Sequence, residues 1–278
     1  MDVFDGKQWD VWVYDWARDT FSRLTADPAD DSNPVWTPDG QRIVFASDRA
    51  DKATRNLYWQ QADGTGDVQR LTNSKSWQFP GSWHPSGKFL AFLEGNPQKV
   101  PRLPYNIMIL PMEGDEFSGW RPGTPTVFHN TPFNEFAPMF SPDGRWLAYV
   151  SAESGRAEVY VRPFPGPGSK WQISNEGGGS PTWSRTRHEL FYSSSSQIMV
   201  TSYTIEGDRF HANKPQRWSE GHFASRPPGL RFFDLHPDGE RFAVAKVPDQ
   251  QNLRLTQDNV VFIFNFFDEL RRIAPVKH

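Results

Sequence analysis

One short phrase recurs along the chain and constrains it more than any other feature. It is an aromatic or apolar residue, a Ser, Thr or His, then Pro-Asp-Gly, then a short apolar run. It reads Trp36-Thr-Pro-Asp-Gly40 before Arg42-Ile-Val-Phe-Ala-Ser47 and Trp83-His-Pro-Ser-Gly87 before Phe89-Leu-Ala-Phe-Leu93. It returns as Phe140-Ser-Pro-Asp-Gly144 before Trp146-Leu-Ala-Tyr-Val-Ser151, degenerates at Trp183-Ser-Arg-Thr-Arg187, and ends as Leu235-His-Pro-Asp-Gly239. Pro sets φ at the first turn position, Asp bonds the local backbone and Gly accepts positive φ, so each copy predicts a tight β-turn between two strands. The closing positions 40, 87, 144, 187 and 239 are 47, 57, 43 and 52 residues apart. A unit of about 40–50 residues with four strands is a propeller blade. Runs such as Ile43-Val44-Phe45 are apolar on both faces, as a strand buried between stacked sheets requires.

A second hairpin follows each first one, as in Asn56-Leu-Tyr-Trp59 with Arg70-Leu-Thr72, and Glu158-Val-Tyr-Val-Arg162 with Lys170-Trp-Gln-Ile-Ser174. The same half-unit opens the chain at 10–25 with no turn signature before it. The repeats are expected at 34–74, 80–131, 138–176, 181–221 and 231–266, with a short helix over 267–274. About 21 strands are legible, nearer the 20 of five four-stranded blades than the 24 of six. The expected fold is therefore one all-β propeller over 1–278. Five blades are favoured, closed by the N-terminal strands joining the last repeat, with six, one incomplete, as the alternative. An incomplete blade leaves an open edge, so a homodimer by edge-strand pairing is expected.

Composition removes other classes. There is no Cys, which excludes disulfide frameworks, thiolate metal sites and cysteine nucleophiles. A net charge of −3 argues against a nucleic-acid binder. With 12 Trp, 22 Phe and 7 Tyr the chain can form a core, and its 24 Pro and 21 Gly suit turns rather than helix bundles. No apolar run is long enough for a membrane helix, and Met1-Asp-Val-Phe-Asp-Gly has no signal-peptide pattern, so the chain as written reads as cytoplasmic.

The phrases at 36–49 and 140–151 resemble TolB-type β-propeller repeats over nearly the whole chain. Asp10 to Thr25, Thr131-Pro-Phe-Asn-Glu135, Glu158 to Trp171 with its Val-Arg-Pro-Phe-Pro-Gly, and Phe264-Asn-Phe-Phe-Asp-Glu-Leu270 resemble the C-terminal propeller of bacterial membrane-anchored Ser/Thr protein kinases. That resemblance implies an extracytoplasmic or periplasmic propeller with a sensor or scaffold role. The sequence has no Gly-rich phosphate loop, His-Arg-Asp or Asp-Phe-Gly, so kinase activity does not carry over.

Propeller ligands sit at the channel mouth, on loops entering the innermost strands. Here these are Asp27 to Asn33, Ser74 to Phe79, His129 to Glu135, Glu176 to Ser180 and Gly221 to Leu230, with Gly95 to Tyr105 and Pro248 to Leu255 on the same face. Trp77, Phe79, Phe133, Asn134, Glu135 and Phe223 are the candidate contacts for a protein, peptide or small-molecule ligand. Asp31, Asn33, His129, Asn134, Glu135, Glu176 and His222 are candidate ligands for a divalent metal, Ca or Zn. With such a metal, His129, Glu135 and His222 become candidate catalytic groups of a lactonase- or phosphotriesterase-type hydrolase. The competing reading is that these polar groups only satisfy loop backbone. His84 and His236 read as turn caps and Trp36, Trp83 and Trp183 as core between blades. Gly177-Gly-Gly-Ser-Pro181 reads as a loop, not a nucleophile elbow.

Overall fold

The computed structural model describes residues 1–15, 18–95, 105–115, 119–129, 131–166, 168–218, 233–236, 238–245 and 260–262. Their strands form six antiparallel sheets. The first holds β1 (Asp2–Phe4), β2 (Trp9–Asp15) and β3 (Thr20–Arg23), and the second β4 (Asp31–Trp36), β5 (Arg42–Ser47), β6 (Asn56–Gln61) and β7 (Gln69–Arg70). The third holds β8 (Trp77–Trp83), β9 (Phe89–Gly95) and β10 (Asn106–Glu113), with β11 (Arg121–Pro122) and β12 (Thr126–His129) both paired to β10. The fourth holds β13 (Glu135–Phe140), β14 (Trp146–Ser151), β15 (Glu158–Pro163) and β16 (Trp171–Gln172). The fifth holds β17 (Gly179–Trp183), β18 (Glu189–Ser194) and β19 (Gln197–Glu206), with β20 (Arg209–Ala212) and β21 (Gln216–Arg217) on β19. The sixth holds β22 (Phe233–Leu235), β23 (Phe242–Ala245) and β24 (Val260–Phe262).

The first strands of consecutive sheets pack in order, β4 on β8, β8 on β13, β13 on β17 and β17 on β22. This is the blade-on-blade stacking of a β-propeller. The apolar runs form its core: Ile43, Phe45, Leu90, Phe92, Leu147, Tyr149, Leu190 and Phe191 are almost wholly buried. Each turn signature folds as its residues dictate. The amide of Gly40 donates to Thr37 O, Gly87 to His84 O, Gly144 to Ser141 O and Gly239 to His236 O, each at 2.9 Å. These four glycines have φ between 69° and 76°.

Among the described residues β2 pairs with β1 and β3, and β24 pairs with β23, so the N-terminal strands form their own sheet. The half-unit at 10–25 gains a partner the sequence reading overlooked, Asp2-Val-Phe4, which lies beside β2 as β5 lies beside β6. The first sheet then packs on β4 as β5 and β6 pack on β8. Val11, Ile43, Phe45 and Tyr58 fill that seam. The helix expected over 267–274, the loops 221–230 and 248–255 and most of the loop 95–105 lie outside the described residues. Among the described residues no helix is long and apolar enough to cross a membrane.

Candidate functional site

The sites proposed from sequence sit where one blade hands the chain to the next. Asp31 opens β4 with a fully buried side chain, yet it is not open to a ligand. The Arg49 guanidinium meets its Oδ2 at 2.9 Å and also reaches Asp27 at 2.9 Å. Burial nevertheless raises the Asp31 carboxyl above its ordinary range, Arg49 and a Ser47 hydrogen bond opposing the shift. Asn33 sits at φ 55° and its amide donates to Asp2 Oδ2 at 3.0 Å. Glu176 is exposed, and its carbonyl accepts from Ser194 at 3.4 Å.

The His129-to-Glu135 loop holds the densest chemistry. Glu135 opens β13 with a fully buried side chain. Its Oε1 meets His129 Nδ1 and accepts from Thr131 Oγ1 at 3.1 Å. Its Oε2 is buried without a hydrogen-bond partner among the described residues, as is the Tyr149 hydroxyl. The Tyr149 ring lies 5.5 Å from the His129 ring. Burial first, and the Glu135 charge second, push that hydroxyl far above the ordinary tyrosine range. A carboxylate on Nδ1 fixes the imidazole's orientation, as in proton-transfer sites. Asn134 is exposed but anchored: its Oδ1 accepts from the Tyr105 amide at 3.3 Å and its carbonyl from Ala152 at 3.1 Å. Among the described residues no three His, Cys, Asp or Glu side chains come together to hold a metal. Of the proposed metal set, His129 and Glu135 meet directly, and His222 lies outside the described residues.

The aromatic candidates divide. Phe133 is 41% exposed on the same loop. Trp77 is half-buried, its indole donating to Ala53 O at 3.0 Å with Arg55 over its ring at 5.1 Å. Phe79 packs edge-on to Tyr105 at 6.0 Å. Phe223 lies outside the described residues.

A second polar device went unread in the sequence although its signal was there. Asn56 and Glu158 begin β6 and β15 and Asp10 is the second residue of β2, while Thr25, Thr72 and Ser174 each stand two residues past the outermost strands β3, β7 and β16. The amides of Val11, Leu57 and Val159 donate to these hydroxyls at 2.9, 3.0 and 2.8 Å. Thr25 bonds Asp10 at 3.3 Å, Arg70 bonds Asn56 at 3.2 Å and Ser174 bonds Glu158. His129 is the same position in the third sheet: Thr25, Thr72 and His129 each stand six residues ahead of Asp31, Gln78 and Glu135. Thr72 Oγ1 donates to Gln78 just as His129 meets Glu135. The pair is thus the ionisable version of a joint between blades. The recurring acid or amide, then Arg or Gln, then Thr or Ser, was the signal that could have found it.

No family model and no curated protein matches the chain. Solved structures do. TolB from Acinetobacter baumannii is 17% identical with a TM-score of 0.56, over 87% of this chain and 55% of that protein. Hydrazine synthase from Kuenenia stuttgartiensis is 15% identical with a TM-score of 0.64, over 86% of this chain and 38% of that one. An oligogalacturonate lyase in complex with manganese is 14% identical with a TM-score of 0.54, over 88% and 69%. The chain spans little more than half the length of that TolB. At these identities the likeness carries the architecture and leaves activity open. Repeats, sheet order and structural likeness agree that the chain is an all-β propeller, similar in fold to that of TolB.

Proposed function

We propose that the chain is a non-catalytic binding propeller, a sensor or scaffold part that offers its channel-mouth face to a protein, peptide or small ligand. The observation that supports this is the pairing of the buried mouth groups. Asp31 is held by Arg49, Gln78 by Thr72 and Glu94, and Glu135, through Oε1, by His129 and Thr131. Carboxylates used in this way stabilise joints between blades and are poor open metal ligands. The loop at 131–135 presents Pro132, Phe133 and Asn134 outward. The resemblance to kinase C-terminal propellers favours an extracytoplasmic setting. The exposed strand β3 suits edge pairing of two copies.

The test combines metal analysis with a binding screen. Purified protein should contain no stoichiometric divalent metal and should turn over no lactone, ester or phosphotriester. A peptide and glycan array should yield a ligand whose binding falls when Phe133 and Trp77 are both changed to Ala. Stoichiometric metal with chelator-sensitive turnover would replace this reading by the hydrolase one, built on His129 and Glu135.

A further inference from the structure

The seam between the second and third sheets holds a cleft of about 300 Å³ at the turn end of the blades, beside the turn signatures and away from the mouth loops. It is lined by Asp39, Arg42, Trp59, Trp83, Met112 and Trp120 among others. The size is at the small end of ligand pockets, which run from about 300 to 1,000 Å³.

The same seam occurs between the fourth and fifth sheets, and strand register aligns the two. Trp83 and Trp183 end equivalent first strands, facing Leu90 and Leu190. Met112 corresponds to Tyr203, and Trp120, two residues before Met112's partner Pro122, corresponds to Phe210, two before Tyr203's partner Ala212. Arg42 corresponds to Trp146, Gln69 to Trp171 and Trp59 to Val161. In the fourth–fifth seam Phe210 is fully buried against Trp146 at 5.3 Å, Trp183 at 5.9 Å and Tyr203 at 4.9 Å, and the slot is filled. In the second–third seam Arg42, Gln69 and Met112 stand in place of Trp146, Trp171 and Tyr203, Trp59 stands in place of Val161, and the slot is open.

The open slot is chemically equipped. The Arg42 guanidinium lies 4.9 Å over the Trp59 ring and donates no hydrogen bond among the described residues. Its approach to Asp39 Oδ2 is 3.9 Å, beyond hydrogen-bond range. The Trp83 indole N–H is buried without an acceptor, whereas the equivalent Trp183 N–H donates to Met139 O at 2.9 Å. The half-buried Trp120 indole, a guanidinium and a carboxylate match one kind of partner. A pyranose ring has an apolar C–H face to lie on indole and hydroxyls that both donate and accept. A purely apolar group would leave Arg42 unanswered.

We propose that this cleft binds a single sugar ring, free or at the end of a glycan. The site is separate from the channel mouth and does not depend on the function proposed there.

The test uses the full chain with its tryptophan indoles ¹⁵N-labelled and a panel of methyl pyranosides: neutral hexosides, N-acetylhexosaminides and hexuronides. At least one should shift the Trp83 and Trp120 indole signals saturably at tens of millimolar or below. Trp120→Ala should weaken that binding by about tenfold. Arg42→Trp imports the residue of the filled seam; it should abolish binding while melting no lower than the parent. The proposal is overturned if no pyranoside in the panel shifts those indoles. It is equally overturned if a folded Arg42→Trp protein binds as well as the parent, or if a proline-rich peptide shifts the indoles and the sugars do not.

Discussion

Two seams built on one plan end in opposite states. Between the fourth and fifth sheets, Trp146, Trp171, Trp183 and Tyr203 enclose Phe210, and the Tyr203 hydroxyl is pushed up to about 12 by burial. Between the second and third, Arg42 and Gln69 stand where two of those indoles would be, and about 300 Å³ is left open. Strand order and register align the two seams, while the turn at 184–187 lacks Pro-Asp-Gly and β20 is longer than β11. The side chains at aligned positions mark one seam as core and the other as cleft. A repeat protein can therefore open a site in one seam while the others keep the ring together.

The comparison is broken most directly at the two corresponding aromatics. Phe210→Ala empties a filled slot and should cost about 3–5 kcal/mol. Trp120→Ala enlarges a space that is already open and should cost about 1–2 kcal/mol. Urea denaturation of both variants measures this. Equal losses would mean that the second–third seam is as tightly packed as the other.

The turns beside the seams give the next largest contrast. Gly40 has φ +69° with nothing within 4 Å of an added Cβ, and Gly87 is the same at +72°. Gly144, also at +72°, would place its Cβ 2.1 Å from His84 Nε2. Gly40→Ala should lose about 1 kcal/mol from the left-handed backbone alone. Gly144→Ala adds a collision with a ring packed on Phe89 and Phe140, and should lose about 2–3 kcal/mol. Melting curves that rank them the other way would show that His84 moves aside freely.

The joints between blades offer a finer version of the same comparison. Glu135→Gln and His129→Thr singly should each cost about 1–2 kcal/mol, because each leaves a buried partner poorly matched. Together they recreate the Thr72–Gln78 pair of the neighbouring seam, and about 1 kcal/mol or more should return as coupling. Additive losses in the double-mutant cycle would mean that His129 and Glu135 do not act as a pair.

Most of the architecture was legible because its causes are local. Pro-Asp-Gly fixes a turn wherever it stands, and Ile43-Val44-Phe45 reads as buried on both faces without knowledge of its neighbours. The strand Asp2-Val-Phe4 was not legible, because three residues without a turn signature become a strand only through pairing with Trp9–Val11. The site candidates fared differently again. Asp31, Trp77 and Glu135 open β4, β8 and β13. His129 stands six residues before Glu135 and is legible beside it, but Arg49 and Arg55, the partners of Asp31 and Trp77, are brought near only by the fold. The cleft was hidden for the same reason. Trp83 reads as core beside Trp36 and Trp183, and nothing near it in sequence says that Arg42 replaces an indole across the seam.

The smallest expected effect lies in the turns and appears only in acid. The turn at 84–87 borders the open cleft and carries Ser86 where the turn at 236–239 carries Asp238. The Glu240 amide, donating at 2.9 Å, and then Arg241 and His236 hold the Asp238 carboxyl down at about 2. Its folded value lies below its unfolded one, so the stabilisation is fully present above the unfolded value of about 3.8 and is lost as pH falls toward 2. The group is at the surface, so the effect should be modest and weakened by salt. Asp238→Ser, which copies Ser86, should flatten the fall of Tm between about pH 4 and pH 2 while leaving the curve above pH 5 with the same shape. A variant whose Tm falls as steeply as the parent's would show that the Asp238 carboxylate does not hold this turn. The acid sensitivity of the ring would then lie in the buried joints.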